Sequence, residues 1–408
     1  MEMYDDNLTM CPYCGHVDGE KAEQEIHMDP GTYLYDRYIV GNVIGYGGFG
    51  VTYVGWDAKL EQKVAIKEYL PSEYSTRMPG QSRVTVFGGN KADHYKTGMS
   101  KFVDEAKRLA KCTNTDGIVK IFDAFEENDT AYIIMEYLEG ETLADRLKRE
   151  KTIPEDEAVK MMLPVMHSLE IVHKEGIIHR DIAPDNIFLT KDGSVKLIDF
   201  GASRYANTSQ SRSLTVIIKP GYSPEEQYRS RGDQGPHTDV YAVAATLYKM
   251  ITGKTPPDAL ERRAFFENKK KDILDPIVKY DKDISKNREN AILNAVNIRI
   301  EDRTPDMTVF IEQLTTTQPV KRISGKISKI DILRWPLWAK VGVPVAAVGV
   351  VALILLLANG VIGFKSSLKE VTEIPEGMVR VPSVVNIAKE EAIDVLEASK
   401  LNIYVSGS

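Results

Sequence analysis

Apolar and polar positions change rhythm along this chain, and the changes mark its elements. Residues 38–44 and 51–56 are strand-like runs rich in β-branched and aromatic residues, and they flank Gly45-Tyr46-Gly47-Gly48-Phe49-Gly50. Val64-Ala65-Ile66 is a third short strand and ends in Lys67. Residues 71–96 carry Gly, Pro, Ser and Asn around Val84-Thr85-Val86-Phe87, which predicts an insert with a small hairpin. Residues 102–109 are helical in pattern. Residues 117–125 and 131–138 form two apolar strands about the turn Glu126-Glu127-Asn128-Asp129. From 141 to 174, Leu143, Leu147, Met161, Val165, Leu169 and Val172 recur at helical spacing. Residues 195–198 are a buried strand in pattern. Far downstream, residues 341–364 contain no charge and only Asn359 as a strongly polar residue.

Composition narrows the class of protein. With 408 residues, 43% hydrophobic and 27% charged, the chain is expected to fold into two or three domains. A net charge of -7 gives no reason to expect nucleic-acid binding. Three cysteines cannot build a disulfide framework, which favours a reducing location for most of the chain. The first 30 residues lack the apolar core of a signal peptide. They do contain Cys11-Pro12-Tyr13-Cys14-Gly15-His16, a turn that presents two thiolates to one metal, as half of a zinc ribbon does. His16, His27 or a second chain could complete a zinc site, whereas Cys112 lies too deep in the following region. A redox-active pair and the remnant of a longer ribbon are the alternatives. Asp29-Pro30-Gly31 reads as a linker.

The chemistry concentrates in His179-Arg180-Asp181-Ile182-Ala183-Pro184-Asp185-Asn186 and in Asp199-Phe200-Gly201. Asp181 can accept the proton of an incoming hydroxyl, while Asn186 and Asp199 offer hard oxygen ligands to Mg²⁺. Together the two stretches resemble the catalytic and metal-binding loops of a protein kinase. The glycine loop supports that resemblance because β-branched residues follow it, where a dinucleotide loop would lead into a helix. On the kinase pattern Lys67 holds the α- and β-phosphates, and Glu105 pairs with it. Asp104 is the rival, but Glu105 matches the family's Phe-x-x-Glu-Ala spacing. Met135-Glu136-Tyr137-Leu138 matches the gatekeeper and hinge. The resemblance implies that the backbones of Glu136 and Leu138 bind the adenine edge, that Ile44, Ala65 and Phe188 sandwich its faces, and that Gly45, Gly47, Gly48, Phe49 and Gly50 cover the phosphates. It implies ATP and Mg²⁺ as cofactors, and a two-lobed α+β fold with a β-rich N-lobe and a helical C-lobe.

The same resemblance assigns structural residues and exposes departures. Glu226 corresponds to the acid that closes the activation segment, Arg303 to its buried partner, and Asp239 to the start of the central helix, capping the catalytic-loop backbone. Thr208, Ser209, Ser211, Ser213 and Thr215 are candidate phosphosites, and Arg180 could pair with a phosphate placed there. Ser/Thr kinases usually carry a lysine two residues after the catalytic acid, where this chain has Ala183. Where they usually carry a threonine facing that lysine, it has Lys219. The expectation is that the lysine has moved, so that Lys219 supplies the charge Ala183 cannot; the alternative is a Lys219 that points to solvent or reads substrate acidity.

Beyond residue 317, Lys321, Arg322, Lys326, Lys329, Arg334 and Lys340 form a basic flank with Trp335 and Trp338, ahead of the uncharged run. A helix of that length spans a hydrocarbon core of roughly 30 Å. The basic flank predicts a cytoplasmic kinase and an external C-terminus, hence a single-pass cell-membrane protein in the lipid bilayer. Residues 381–408 resemble the beginning of a PASTA repeat, the external module of bacterial cell-wall-linked kinases, so a cell-wall fragment is the implied external ligand. The expected plan is an N-terminal segment 1–31, a kinase domain 32–317 with lobes 32–138 and 139–317, a juxtamembrane linker 318–340, a transmembrane helix 341–364, a linker 365–380 and the PASTA-like segment 381–408. The whole resembles a bacterial eukaryotic-like (Hanks-type) membrane Ser/Thr kinase acting on protein substrates. A nucleotide-binding pseudokinase scaffold that signals as a homodimer is the alternative.

Overall fold

The computed structural model describes residues 22, 24–112, 115–200, 218–229, 232–269 and 271–323. The chain divides into two units, Met1–Ile327 and Ser328–Ser408, and every described residue belongs to the first. Cys11, Cys14, the uncharged run 341–364, and the segments 365–380 and 381–408 lie outside the described residues. Among the described residues no helix is long and apolar enough to cross a membrane.

The strands of the first half are β1 (Tyr33–Leu34), β2 (Tyr38–Gly47), β3 (Gly50–Asp57), β4 (Gln62–Tyr69), β5 (Ser75–Arg77) and β6 (Val84–Val86), and helix α1 (Asn90–Leu109) follows them. After these come β7 (Ile121–Glu127), β8 (Thr130–Glu136), β9 (Gly140–Thr142), α2 (Leu143–Glu150) and α3 (Glu155–Lys174). The remainder is β10 (Ile187–Thr190), β11 (Val195–Leu197), α4 (Pro236–Thr252), α5 (Ala259–Lys269), α6 (Lys286–Ala295) and α7 (Met307–Thr315). Six strands form one sheet in the order β1-β2-β3-β4-β8-β7, with α1 against β7 and β8. This is the β-rich lobe; the helical lobe is built around α4, which is buried on nearly every face.

Period-two alternation in β4 sets up the cleft. Val64 and Ile66 are both 0% exposed and enter the small-lobe core. Ala65 therefore faces the other way, where it packs with Val119 and Met135. Pairing of Ala65 with Met135 and of Lys67 with Ile133 fixes the register between β4 and β8. The turn between β7 and β8 is two residues long, and Asn128 (φ 55°) and Asp129 (φ 57°) both take left-handed backbone, the geometry a tight hairpin demands. In α1, Phe102, Glu105, Ala106 and Leu109 share one buried stripe at helical spacing. Glu105 lies on that stripe and Asp104 on the solvent face, which separates the two acids.

The insert contains the expected hairpin, with β5 paired to β6. Its last residues already belong to α1, which starts at Asn90 rather than near 102.

Two segments read as linkers are packed. At the N-terminal end, Met28 is 2% exposed in the small-lobe core. Its N–H donates to Tyr53 Oη at 3.2 Å, and Arg77 Nη1 donates to the Ile26 carbonyl at 2.8 Å. His27, offered above as a zinc ligand, is 2% exposed and packs against Tyr46 and Tyr53. At the other end, residues 318–323 lie along α6. Asn287, Asn290, Asn294 and Asn297 donate side-chain N–H groups to the carbonyls of Gln318, Val320, Lys321 and Ile323. Arg322, counted above with the basic flank, donates to Asn294 and Asn297 instead. The asparagines recur at helical spacing, but a polar stripe names no partner, so only tertiary contact shows that these segments dock.

Candidate active site

Between the lobes lies a cavity of about 530 Å³, a size ordinary for a small-molecule site. Its lining includes Ile44, Gly45, Ala65, Met135, Glu136, Leu138, Phe188 and Asp199, so seven of the residues proposed for nucleotide contact surround one space. Gly47, Gly48, Phe49 and Gly50 form the turn of the β2–β3 hairpin, closed by the Gly47 and Gly50 pair. Their ladder continues into the next segment, because Leu70 N–H donates to the Phe49 carbonyl (3.0 Å) and Ser72 N–H to that of Gly48 (3.2 Å). Gly50 is required by this packing: a Cβ there would sit 2.0 Å from the Glu68 carbonyl oxygen.

The catalytic loop is held from below by α4. Asp239 in its first turn accepts the backbone N–H groups of His179 and Arg180, both at 2.8 Å, and contacts His173 Nε2 at 2.8 Å. Burial opposes the charge of Asp239, yet the hydrogen bond from His173 and the backbone N–H of Arg180 hold its carboxyl below the ordinary range. Arg180 takes left-handed backbone (φ 70°), a conformation non-glycine residues adopt at a cost, and Gln227 Nε2 clamps its carbonyl at 2.7 Å. His179 is fully buried, and burial lowers its pKa and keeps it neutral. Its Nδ1 takes the Asp181 N–H (3.2 Å), leaving Nε2–H to donate to the Ile198 carbonyl (3.0 Å). One imidazole thus ties the catalytic loop to the strand preceding Asp199.

Both oxygens of Asp181 are engaged. Asn186 Nδ2 donates to Oδ2 at 2.8 Å and to the Asp181 carbonyl at 2.7 Å. Lys219 Nζ lies 2.9 Å from Oδ1 and 2.9 Å from Asp185 Oδ2. Lys219 is set by a turn in which Tyr222 and Ser223 donate backbone N–H groups to its carbonyl. Gly221 makes that turn, with φ 86° and Pro256 O only 2.4 Å from where a Cβ would stand.

Across the cleft, Lys67 Nζ binds Asp199 Oδ1 at 2.8 Å. The Lys67 charge holds the Asp199 carboxyl below its usual value against the opposing effect of burial. Asp199 is itself left-handed (φ 63°), and Phe200 packs edge-on against His179, with ring centroids 4.4 Å apart. Glu105 is 2% exposed and lines a small cavity together with Lys67, Asp199 and Phe200. In the large lobe, Arg303 and Glu226 form the expected buried pair.

The donor set fits a nucleotide-bound magnesium ion. Asn186 spends its N–H groups on Asp181, which leaves its amide oxygen as the atom that would meet the ion, and the Lys67 charge favours the anionic form of Asp199. Among the described residues no cluster of three or more His, Cys, Asp or Glu could hold a metal by itself, so phosphate oxygens and water would complete the shell, as is usual for Mg²⁺. Thr208, Ser209, Ser211, Ser213 and Thr215 lie outside the described residues. Cys112 is half-buried, and burial pushes its thiol pKa up. Sequence reasoning missed Gln227, His173 and Met28. His173 alone had a cue, its place in the last turn of a helix that ends at the catalytic loop.

A β-rich lobe and a helical lobe with this cleft define the protein kinase fold. Residues 38–332 match the family model for the protein kinase domain, and the chain belongs to that family. It is similar to the serine/threonine-protein kinase PknL of Mycobacterium tuberculosis, at 32% identity over 224 residues, covering 55% of this chain and 51% of the relative. It is also similar to the serine/threonine-protein kinase PksC of Streptomyces coelicolor, at 34% identity over 234 residues, covering 55% of this chain and 38% of the relative. The chain thus spans about half the length, or less, of these relatives. Among solved structures, the PpkA-294 apo form superposes with a TM-score of 0.61 and 29% identity, covering 71% of this chain and 99% of that one. The domain is of the bacterial eukaryotic-like Ser/Thr type.

Proposed function

We propose that this chain is an ATP-dependent serine/threonine protein kinase that transfers the γ-phosphoryl group to hydroxyls of protein substrates. One observation carries the reading: Lys67, Asp199, Lys219 and the catalytic-loop pair Asp181 and Asn186 are joined pairwise by direct contacts of 2.8–2.9 Å at one cleft.

In this reading the glycine turn and Lys67 hold the phosphates, and the cavity faces hold the adenine. Asp181, fixed on both oxygens, orients the incoming hydroxyl and takes its proton as oxygen attacks phosphorus and the bond to the leaving phosphate breaks. Lys219 supplies positive charge beside that transfer, in place of a lysine at Ala183, and its arrival depends on the docked turn at residues 219–223. Asn186 and Asp199 would hold a Mg²⁺ ion, which when bound would neutralise phosphate charge.

Finer parts of the reading rest on sequence. They are a membrane helix at 341–364 with the kinase cytoplasmic and the C-terminus outside, a PASTA-like segment at 381–408 for a cell-wall fragment, homodimerisation, zinc at Cys11 and Cys14, and autophosphorylation among residues 208–215.

The test is phosphate transfer from MgATP by the full chain, followed by intact mass and site mapping. Phosphate on Ser or Thr that disappears with Asp181→Asn is expected. ATP binding without any transfer would replace this reading with the pseudokinase scaffold.

A further inference from the structure

Asn287, Asn290 and Asn294 stand on one stripe of α6, and Asn297 follows just beyond the end of that helix. The segment 318–323 that crosses them lies outside every helix and strand. Its contacts repeat. Asn287 donates to the Gln318 carbonyl at 2.9 Å and accepts the Val320 N–H at 3.1 Å. Asn294 donates to the Lys321 carbonyl at 2.8 Å and accepts the Ile323 N–H at 2.7 Å. Each amide thus brackets a carbonyl and the N–H two residues later, and the second bracket sits three residues after the first. Asn290 adds a bond to the Val320 carbonyl at 2.7 Å, and Asn297 one to that of Ile323 at 3.0 Å.

This spacing matches two lengths. The seven residues from Asn287 to Asn294 rise about 10.5 Å along the helix. Three residues of chain cover about 10 Å only when nearly extended. An extended chain laid along α6 therefore meets an amide at each advance of three residues. Asparagine suits the task because its side chain carries a donor and an acceptor together, as a peptide group does. Asn294 is 1% exposed and Asn297 6%, so an apolar cover would strand both amides. Side chains of the segment add less. Val320 packs against the large-lobe core, while Lys321 is exposed and Ile323 is 41% exposed.

Asn297 also faces the catalytic machinery. Its side chain bonds to Ile323 and receives the Arg322 guanidinium on Oδ1 at 3.2 Å, while its own carbonyl accepts Arg303 Nε at 2.9 Å. Arg303 pairs with Glu226, and the next residue, Gln227, holds the carbonyl of Arg180 beside Asp181. Asn297 therefore stands between the docked segment and the anchor of the catalytic loop.

We infer that α6 and the turn after it form a binding site for extended peptide main chain, filled in cis by residues 318–323, whose occupancy positions the catalytic loop through Asn297 and Arg303. The effect on rate rests on the kinase reading above, and it is a regulation of that site from outside the cleft. With the segment docked, Arg322 and Ile323 fix Asn297 and so back the Arg303–Glu226 pair. With the segment released, the Asn297 amide turns to water and the pair loses that support. None of these residues lines the nucleotide cavity, so nucleotide affinity is independent of the segment.

The experiment uses the full chain. Hydrogen exchange of residues 318–323, read by mass spectrometry, reports docking, and single-turnover transfer at saturating MgATP reports the rate. Ile323→Pro removes the N–H that Asn294 accepts, and Asn287→Ala with Asn294→Ala removes both brackets. Each is expected to speed exchange of the segment by about tenfold, the equivalent of one or two main-chain hydrogen bonds. Each should also slow transfer by roughly fivefold, at the low end of couplings between sites, with the Kd for ATP unchanged. Ile323→Ala and Lys321→Ala keep the main chain and should stay within about twofold of wild type on both readouts. If one releasing variant fails to fold, the other decides. Alanine variants that free the segment as much as Ile323→Pro does, or a segment still protected in the releasing variants, overturn the main-chain site. A freed segment with an unchanged rate overturns the positioning of the catalytic loop. Wild type that binds ATP without transferring phosphate overturns the kinase reading and with it the effect on rate, while exchange still decides the site.

Discussion

Replacing Lys219 by alanine removes the one cation among the described residues that touches Asp181, and the structure sets the size of the effect. The ammonium lies 2.9 Å from Asp181 Oδ1 with its side chain 23% exposed. A unit charge about 4 Å from the transferring group is worth roughly 4 kcal/mol at an effective dielectric constant near 20. Solvent screening at this exposure leaves about half. At 1.36 kcal/mol per factor of ten, about 2 kcal/mol is a loss of roughly thirtyfold in the chemical step. The assay is single-turnover transfer at saturating ATP, with nucleotide affinity measured separately. The step should slow while ATP affinity changes little, since Lys219 is not among the residues that line the adenine cavity. Lys219→Arg keeps the charge and should keep most of the rate. Returning the cation to the usual place, Ala183→Lys with Lys219→Thr, should recover part of what Lys219→Thr alone loses. Lys219→Ala within a few-fold of wild type would refute the reasoning, because a lysine that merely balanced Asp185 on the surface would cost little.

Three further outcomes follow from the packing. Arg303→Ala strands Glu226 in the large-lobe interior, where the two side chains are 0% and 5% exposed, and should lower unfolding free energy by about 3–5 kcal/mol; equilibrium denaturation reads this. Met28→Ala empties a small-lobe core position ahead of the family match at residue 38 and should cost about 2–5 kcal/mol, whereas an unchanged denaturation midpoint would mean the N-terminal segment is not docked. Asp239 and Asp199 have folded-state pKa values below their unfolded ones, so their stabilisation is complete above about pH 4 and lost as pH falls through the still lower folded values. Denaturation midpoints should hold down to about that pH and then drop, and Asp239→Asn should be less stable at neutral pH with a flatter acid limb.

Local order was legible in the residues themselves. Glycines before β-branched residues specified a hairpin and not a helix N-terminus, and Val64-Ala65-Ile66-Lys67 read as a strand ending in its lysine. The family's Phe-x-x-Glu-Ala spacing favoured Glu105 over Asp104, and the structure buries Glu105 and leaves Asp104 exposed. The catalytic motif named Asp181, Asn186 and Asp199, since an acid and an amide at that spacing have few other uses. Asp199 apart, each of these features spans a few residues, where backbone geometry alone relates the side chains.

Tertiary structure decided what distant segments do to each other. That Lys219 reaches Asp181 depends on Gly221 turning tightly over Pro256, which no periodicity announces. The docking of Met28, and of residues 318–323 along the asparagines of α6, moved two linkers into the domain because buried area and hydrogen bonds form only once the partner is present. Asn297 carries no sign of a partner in the sequence. It joins residues 318–323 to Arg303 because folding brings both against it, and hydrogen bonds form only at contact.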